Sequence, residues 1–146
     1  MTVRFRGAGS IELAADASGR WDGPVCLLLH GGGQTRHAWG GTTRALGDAG
    51  FLALTLDQRG HGDSDWAPDA DYSPDAYAAD LRAVLEQIGR PAALVGASLG
   101  GLAALLAAGE IDRLRLVFLA ALLEHNVSGH RARTGRVIKR QHGFLP

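Results

Sequence analysis

The chain has a single cysteine, Cys26, set inside the apolar run Val25–Leu29. One cysteine excludes an intramolecular disulfide framework and reads as a small buried hydrophobe. No apolar run approaches the ~20 residues of a membrane-crossing helix, and the opening Met-Thr-Val-Arg-Phe-Arg lacks the apolar segment of a signal peptide. An excess of one charge is also missing: 15 basic and 15 acidic residues cancel. Neither nucleic acid nor a membrane surface is therefore expected as a partner, and the expected location is cytoplasmic. Internal repeats and low-complexity linkers are absent. What remains is a chain of 146 residues, 46% hydrophobic, long enough for one domain with a core.

The pattern along the chain alternates strands and helices. Val3–Arg6 and Ile11–Ala15 predict a first hairpin around Gly7–Gly9, and Ser18–Pro24 a turn-rich link. Val25–Leu29, Phe51–Leu56 and Ala92–Val95 are short apolar runs of the kind buried in a sheet, and Arg113–Ala121 holds a sixth strand. Between them Arg36–Ala49 predicts a helix with Trp39 and Leu46 inward and Gly50 as its stop. The clearest helix is 74–88. Ser73 is its N-cap, Pro74 its first residue and Asp75 favourable to the dipole, while Tyr77, Leu81, Val84, Leu85 and Ile88 share a face and Gly89 ends it. A third helix runs from Leu99 to Ala108 and closes at Gly109. Strands alternating with helices predict an α/β fold with a doubly wound, mostly parallel sheet.

Three loops follow three of these strands. Gly96-Ala97-Ser98-Leu99-Gly100 reads G-x-S-x-G between a strand and a helix. A sharp turn there needs the two glycines, exposes the Ser98 hydroxyl and places the Leu99 N–H beside any oxyanion forming on its substrate. A plain glycine-rich turn is the competing reading. His30-Gly31-Gly32-Gly33 leaves the strand Val25–Leu29, and its backbone can approach a ligand closely. The N–H of Gly32, then that of Gly33, is the candidate second oxyanion donor, and His30 is read as a brace for the loops rather than a base. Asp57-Gln58-Arg59-Gly60-His61-Gly62-Asp63-Ser64-Asp65 follows Phe51–Leu56. Arg59, His61, Asp63 and Asp65 there are read as ties near the mouth of the site, in preference to a metal or acid–base cluster. No metal or cofactor is expected. The glycine-rich loop after Leu29 matches neither G-x-G-x-x-G nor the lysine-containing phosphate loop, which sets nucleotide binding aside.

In this order and spacing the three motifs resemble the α/β-hydrolase superfamily over roughly residues 1–120, with similarity to small bacterial esterase-like and cofactor-free haloperoxidase-like hydrolases. The resemblance implies a Ser–acid–His mechanism. It makes Ser98 the nucleophile, and the backbone of Leu99 and of the Gly31–Gly33 loop the oxyanion hole.

A serine needs a base, and the resemblance implies the order Ser, then acid, then His, with the His far beyond the Ser. After Ser98 the sequence offers Glu110, Asp112, Glu124, His125, His130 and His142. Glu124, just past the predicted sixth strand, is the candidate acid, with an ordinary solvated carboxylate as the competing reading. None of the three histidines makes a convincing base. From Glu124 onward there are 5 basic residues and 1 acidic one, against 10 and 14 before it. Residues 121–146 are thus an atypical basic tail. Out-of-frame translation is the expectation, and a basic interaction tail the alternative. A hydrolase fold truncated after about its sixth strand would leave Leu116–Leu119 as an uncovered apolar edge, so marginal stability or a homodimer through that edge is expected. The functional expectation is a serine hydrolase for a small ester or related acyl substrate, incomplete in this chain. The alternative is an inactive fragment or pseudoenzyme that binds a small ligand or self-associates.

Overall fold

A computed structural model describes residues 1–109 and the backbone of residues 120–121. Glu124, the three histidines after it, Leu116–Leu119 and the basic segment beyond residue 121 lie outside the described residues.

Six strands form one sheet: β1 (Thr2–Arg6), β2 (Glu12–Gly19), β3 (Val25–Leu29), β4 (Leu52–Leu56), β5 (Ala92–Ala97) and β6 (Ala120–Ala121), in the order β1-β2-β4-β3-β5-β6. β1 and β2 form an antiparallel hairpin, β2 lies antiparallel to β4, and β4, β3, β5 and β6 run parallel. β3 and β4 are buried at every position, as continuous apolar runs are when helices cover both faces of a sheet. One face carries Leu27, Leu29, Leu54, Leu56 and Leu94 against α2 (Pro74–Ile88) and α3 (Leu99–Ala108). The opposite face carries Cys26, Leu28 and Ala53 under Trp39, Leu46 and Phe51, at the level of α1 (Gly40–Asp48). The sheet is doubly wound, as expected.

Two predicted elements change extent. β2 runs on past Ala15 to Gly19, into the first two residues of the predicted link, because Ala15–Gly19 pairs with Leu52–Leu56 of β4. The pairing partner lies far along the chain, so no local pattern marks it. The helix expected over 36–49 is divided into a single 3₁₀ turn, Arg36–Trp39, and then α1. The break falls at Gly40-Gly41, where backbone freedom is greatest.

The winding places the site. From β3 the chain passes through α1 to β4 on one side. From β5 it passes through α3 toward β6 on the other, while β3 and β5 are neighbours. The connections diverge between the carboxyl ends of β3 and β5. In an open α/β sheet such a switch point leaves a crevice where ligands bind.

Candidate active site

Ser98 sits at that crevice, as the residue between β5 and α3. It is exposed, and its backbone is in a strained region at φ 46° and ψ −111°. The strain is held by close packing on both sides. A Cβ on Gly100 would lie 2.5 Å from the Leu29 carbonyl oxygen, and one on Gly96 would lie 2.5 Å from the Gly100 carbonyl. Glycine at both positions lets α3 start directly over the ends of β3 and β5, so Ser98 is thrust outward. Its hydroxyl does not cap the helix. The first N–H groups of a helix have no intrahelical acceptor, so the Leu99 N–H is free to meet a developing negative charge.

The loop after β3 lies alongside: a Cβ built on Gly31 would lie 3.6 Å from the Cβ of Ser98. Three amides of this loop have three different fates. The Gly31 N–H donates to Gln34 Oε1 at 3.0 Å, and the Gly33 N–H points to His61 Nε2 at 3.4 Å. The Gly32 N–H has no acceptor among the described residues, and the space beside the Gly32 Cα is open.

His30 is fully buried. Its Nδ1 pairs with the Gly31 carbonyl at 2.8 Å, and its Nε2 accepts the Gln58 N–H at 3.1 Å. The Gln58 side chain returns a bond to the His30 carbonyl at 2.7 Å. Burial, above all, holds the imidazole pKa below its ordinary value. With both nitrogens engaged in the neutral form, His30 fastens the loop after β3 to the loop after β4.

That second loop is tied down by two buried arginines. Arg36 donates through its backbone to Asp57 Oδ1 at 2.5 Å, and its guanidinium reaches Asp57, Asp63 at 2.7 Å and Asp16 at 3.0 Å. Asp57 also accepts the Asp63 N–H, while Ser64 Oγ donates to the Asp57 carbonyl. Gly62, at φ 54°, passes so near that a Cβ would fall 2.0 Å from Asp57 Oδ2. Arg59 pairs twice with Asp80 of α2, at 2.6 and 2.8 Å. His61 Nδ1 donates to the Arg59 carbonyl at 2.9 Å, and its ring lies 4.9 Å from that of His30. Sequence reading named Arg59 and His61 but missed Arg36, Gln34, Gln58 and Asp80. Their partners are 20 or more residues away in three of these four cases, and Gln34 stands in no recognisable spacing. A separate groove of about 600 Å³ between β1 and α2 is lined by Arg4, Phe5, Arg6, Ile11 and Gln87 and includes neither Ser98 nor these loops.

Comparison with known proteins finds one family and several relatives. Residues 24–138 match the alpha/beta hydrolase fold family. The chain is 40% identical over 98 residues to an esterase of Mycobacterium tuberculosis, covering 65% of this chain and 32% of the esterase. It is 39% identical over 87 residues to an sn-1-specific diacylglycerol lipase of Mus musculus, covering 58% and 28%. Among solved structures, epoxide hydrolase A from Mycobacterium thermoresistibile superposes with a TM-score of 0.68 at 32% identity, over 78% of this chain and 36% of that one. The chain thus spans about a third of the length of the relatives it matches.

Proposed function

Because this chain belongs to the alpha/beta hydrolase fold family, we propose that it carries the nucleophilic half of a serine hydrolase for small esters or related acyl compounds. One observation carries the reading. Ser98 is held in a strained, exposed turn at the sheet's switch point, next to a loop whose Gly32 N–H has no acceptor among the described residues. In the proposed step Ser98 Oγ attacks the acyl carbon and its proton passes to a base. The carbonyl oxygen becomes an oxyanion between the N–H groups of Gly32 and Leu99, the Gly33 N–H being turned to His61. Collapse of that intermediate breaks the C–O bond to the alcohol and leaves an acyl-serine, which water then hydrolyses. No cofactor enters this sequence. Glu124 is the acid we propose, on its position after the sixth strand. His30 is not the base, because both its nitrogens already hold the loops. The esterase and lipase relatives support an ester over an epoxide as substrate.

A second reading is favoured by the lack of any partner for the Ser98 hydroxyl among the described residues: an inactive relative that keeps the crevice as a ligand site. A fluorophosphonate probe separates the two. The proposed function gives stoichiometric labelling that disappears in Ser98→Ala. No labelling between pH 6 and 9 (a range of about 3 units around the working pKa of a general base) sinks it in favour of the inactive reading.

A further inference from the structure

Gln34 is not one of the residues that the motifs single out, yet it stands at the crevice. The Cβ position of Gly31 lies 3.1 Å from Gln34 Oε1 and 3.6 Å from Ser98 Cβ, so the carboxamide and the serine flank the same glycine. The Gly31 N–H donates to Oε1 at 3.0 Å, and the Gln34 N–H closes the turn onto the Gly31 carbonyl at 3.2 Å. A backbone N–H can bond only to the oxygen end of an amide, so this contact fixes which way the carboxamide faces. Its NH₂ group is left with no acceptor among the described residues, on an exposed side chain. A polar group oriented by the loop and left unpaired beside a reaction centre is preorganised to bind a ligand acceptor.

Resting on the hydrolase reading above, we propose that Gln34 is a specificity residue. Its Nε2–H donates to an oxygen on the carbon next to the scissile carbonyl, so the site favours esters of acids that carry an alkoxy, hydroxy or oxo group at that position. The geometry supports this placement: the Gly32 N–H that would hold the oxyanion is one residue from Gly31, which the carboxamide caps. An acyl group on Ser98 with its oxygen at Gly32 is thereby brought to the side of the loop on which the carboxamide stands.

The test compares two isosteric acyl groups, p-nitrophenyl methoxyacetate and p-nitrophenyl butyrate, which differ by an ether oxygen in place of a methylene. Acylation forms the Ser98 Oγ–carbon bond, breaks the aryl ester bond and releases p-nitrophenolate, the serine proton going to buffer base. The rates are measured for the full chain, for Gln34→Glu, which keeps an oxygen for the Gly31 N–H but loses the NH₂, and for Gln34→Met, which keeps only the length. The greater intrinsic reactivity of methoxyacetate cancels when the ratio of rates is compared between proteins, as does any difference in the folded fraction. One neutral hydrogen bond predicts that the methoxyacetate-to-butyrate ratio falls about 3- to 10-fold in both variants. A ratio unchanged from wild type, with release still dependent on Ser98, overturns the Gln34 contact alone, even where both esters slow together through a disturbed loop. Absence of Ser98-dependent release from either ester overturns the hydrolase reading and this inference with it.

Discussion

Gly32 and Ser98 illustrate how a residue's role is set by what its neighbours have already taken. Gly31 and Gly33 stand in the same glycine run as Gly32, but Gln34 occupies the first N–H and His61 the second. Gly32 alone keeps a donor with open space around it. Gly32→Pro removes that N–H, whereas Gly32→Ala keeps it and places its methyl in the open. Under the proposed mechanism, Gly32→Pro labels with a fluorophosphonate about 10²-fold more slowly than Gly32→Ala, the usual effect of losing one oxyanion donor. Equal rates would move the donor elsewhere in the loop. The position of Ser98 at a strand–helix turn was legible from G-x-S-x-G. The division of labour within the glycine loop was not, because it depends on a side-chain amide and on a histidine from another loop.

At the scale of elements, α2 shows how far local chemistry reaches. Ser73 accepts the Ala76 N–H at 3.3 Å, Pro74 opens the helix, and Gly89 closes it at φ 67° with its N–H on the Leu85 carbonyl. All three signals are local, and the predicted bounds coincide with the observed ones. Ser73→Ala is expected to cost about 1 kcal/mol as a lost N-cap, and Gly89→Ala about 1 kcal/mol as a Cβ forced into the left-handed region. Urea unfolding midpoints measure both. A change below a few tenths would show that tertiary packing, not the caps, holds the helix ends. α1 is the contrary case. Its entry is built by the long-range contacts of Arg36 with Asp57, Asp63 and Asp16, and the Gly40-Gly41 pair weakens the local helical signal just there.

For the whole molecule the buried polar network makes stability depend on pH, and each contribution has the same sign. The folded chain keeps His30 neutral, since burial lowers its pKa. The unfolded chain takes up that proton near pH ~6.5, so this contribution is complete above that pH and declines as pH falls through it. For Asp16, burial acts to raise the pKa, but hydrogen bonds from Thr2 and Arg36 outweigh it and leave the carboxyl below its usual range. The Arg36 hydrogen bond lowers that of Asp63 as well. Their contributions are present above pH ~4 and fade below it. Unfolding free energy measured by urea titration between pH 3 and 8 (roughly spanning the two ranges) is expected to fall in two stages on acidification. In His30→Gln the upper stage flattens and the lower one remains. A single loss confined to the acidic end in the wild-type chain would remove His30 from this account.

The sequence by itself determined most of the elements and the faces they bury, the end of β2 and the break before α1 excepted. Strand runs, helix caps and glycine stops are encoded within a few residues of where they act, and the alternation of strands and helices selects a doubly wound sheet. It also placed Ser98, the glycine loop and the loop from Asp57 to Asp65 at strand ends. Tertiary structure alone decided that β3 and β5 are neighbours whose connections diverge, which makes the crevice. It also decided that Arg36, Gln58 and Asp80 fasten its walls and that Gln34 leaves Gly32 free beside Ser98. These are pairings between residues that only the folded sheet brings together. No spacing in the chain encodes them, because the energy of a buried hydrogen bond or ion pair depends on the partner that arrives, not on the residue that waits.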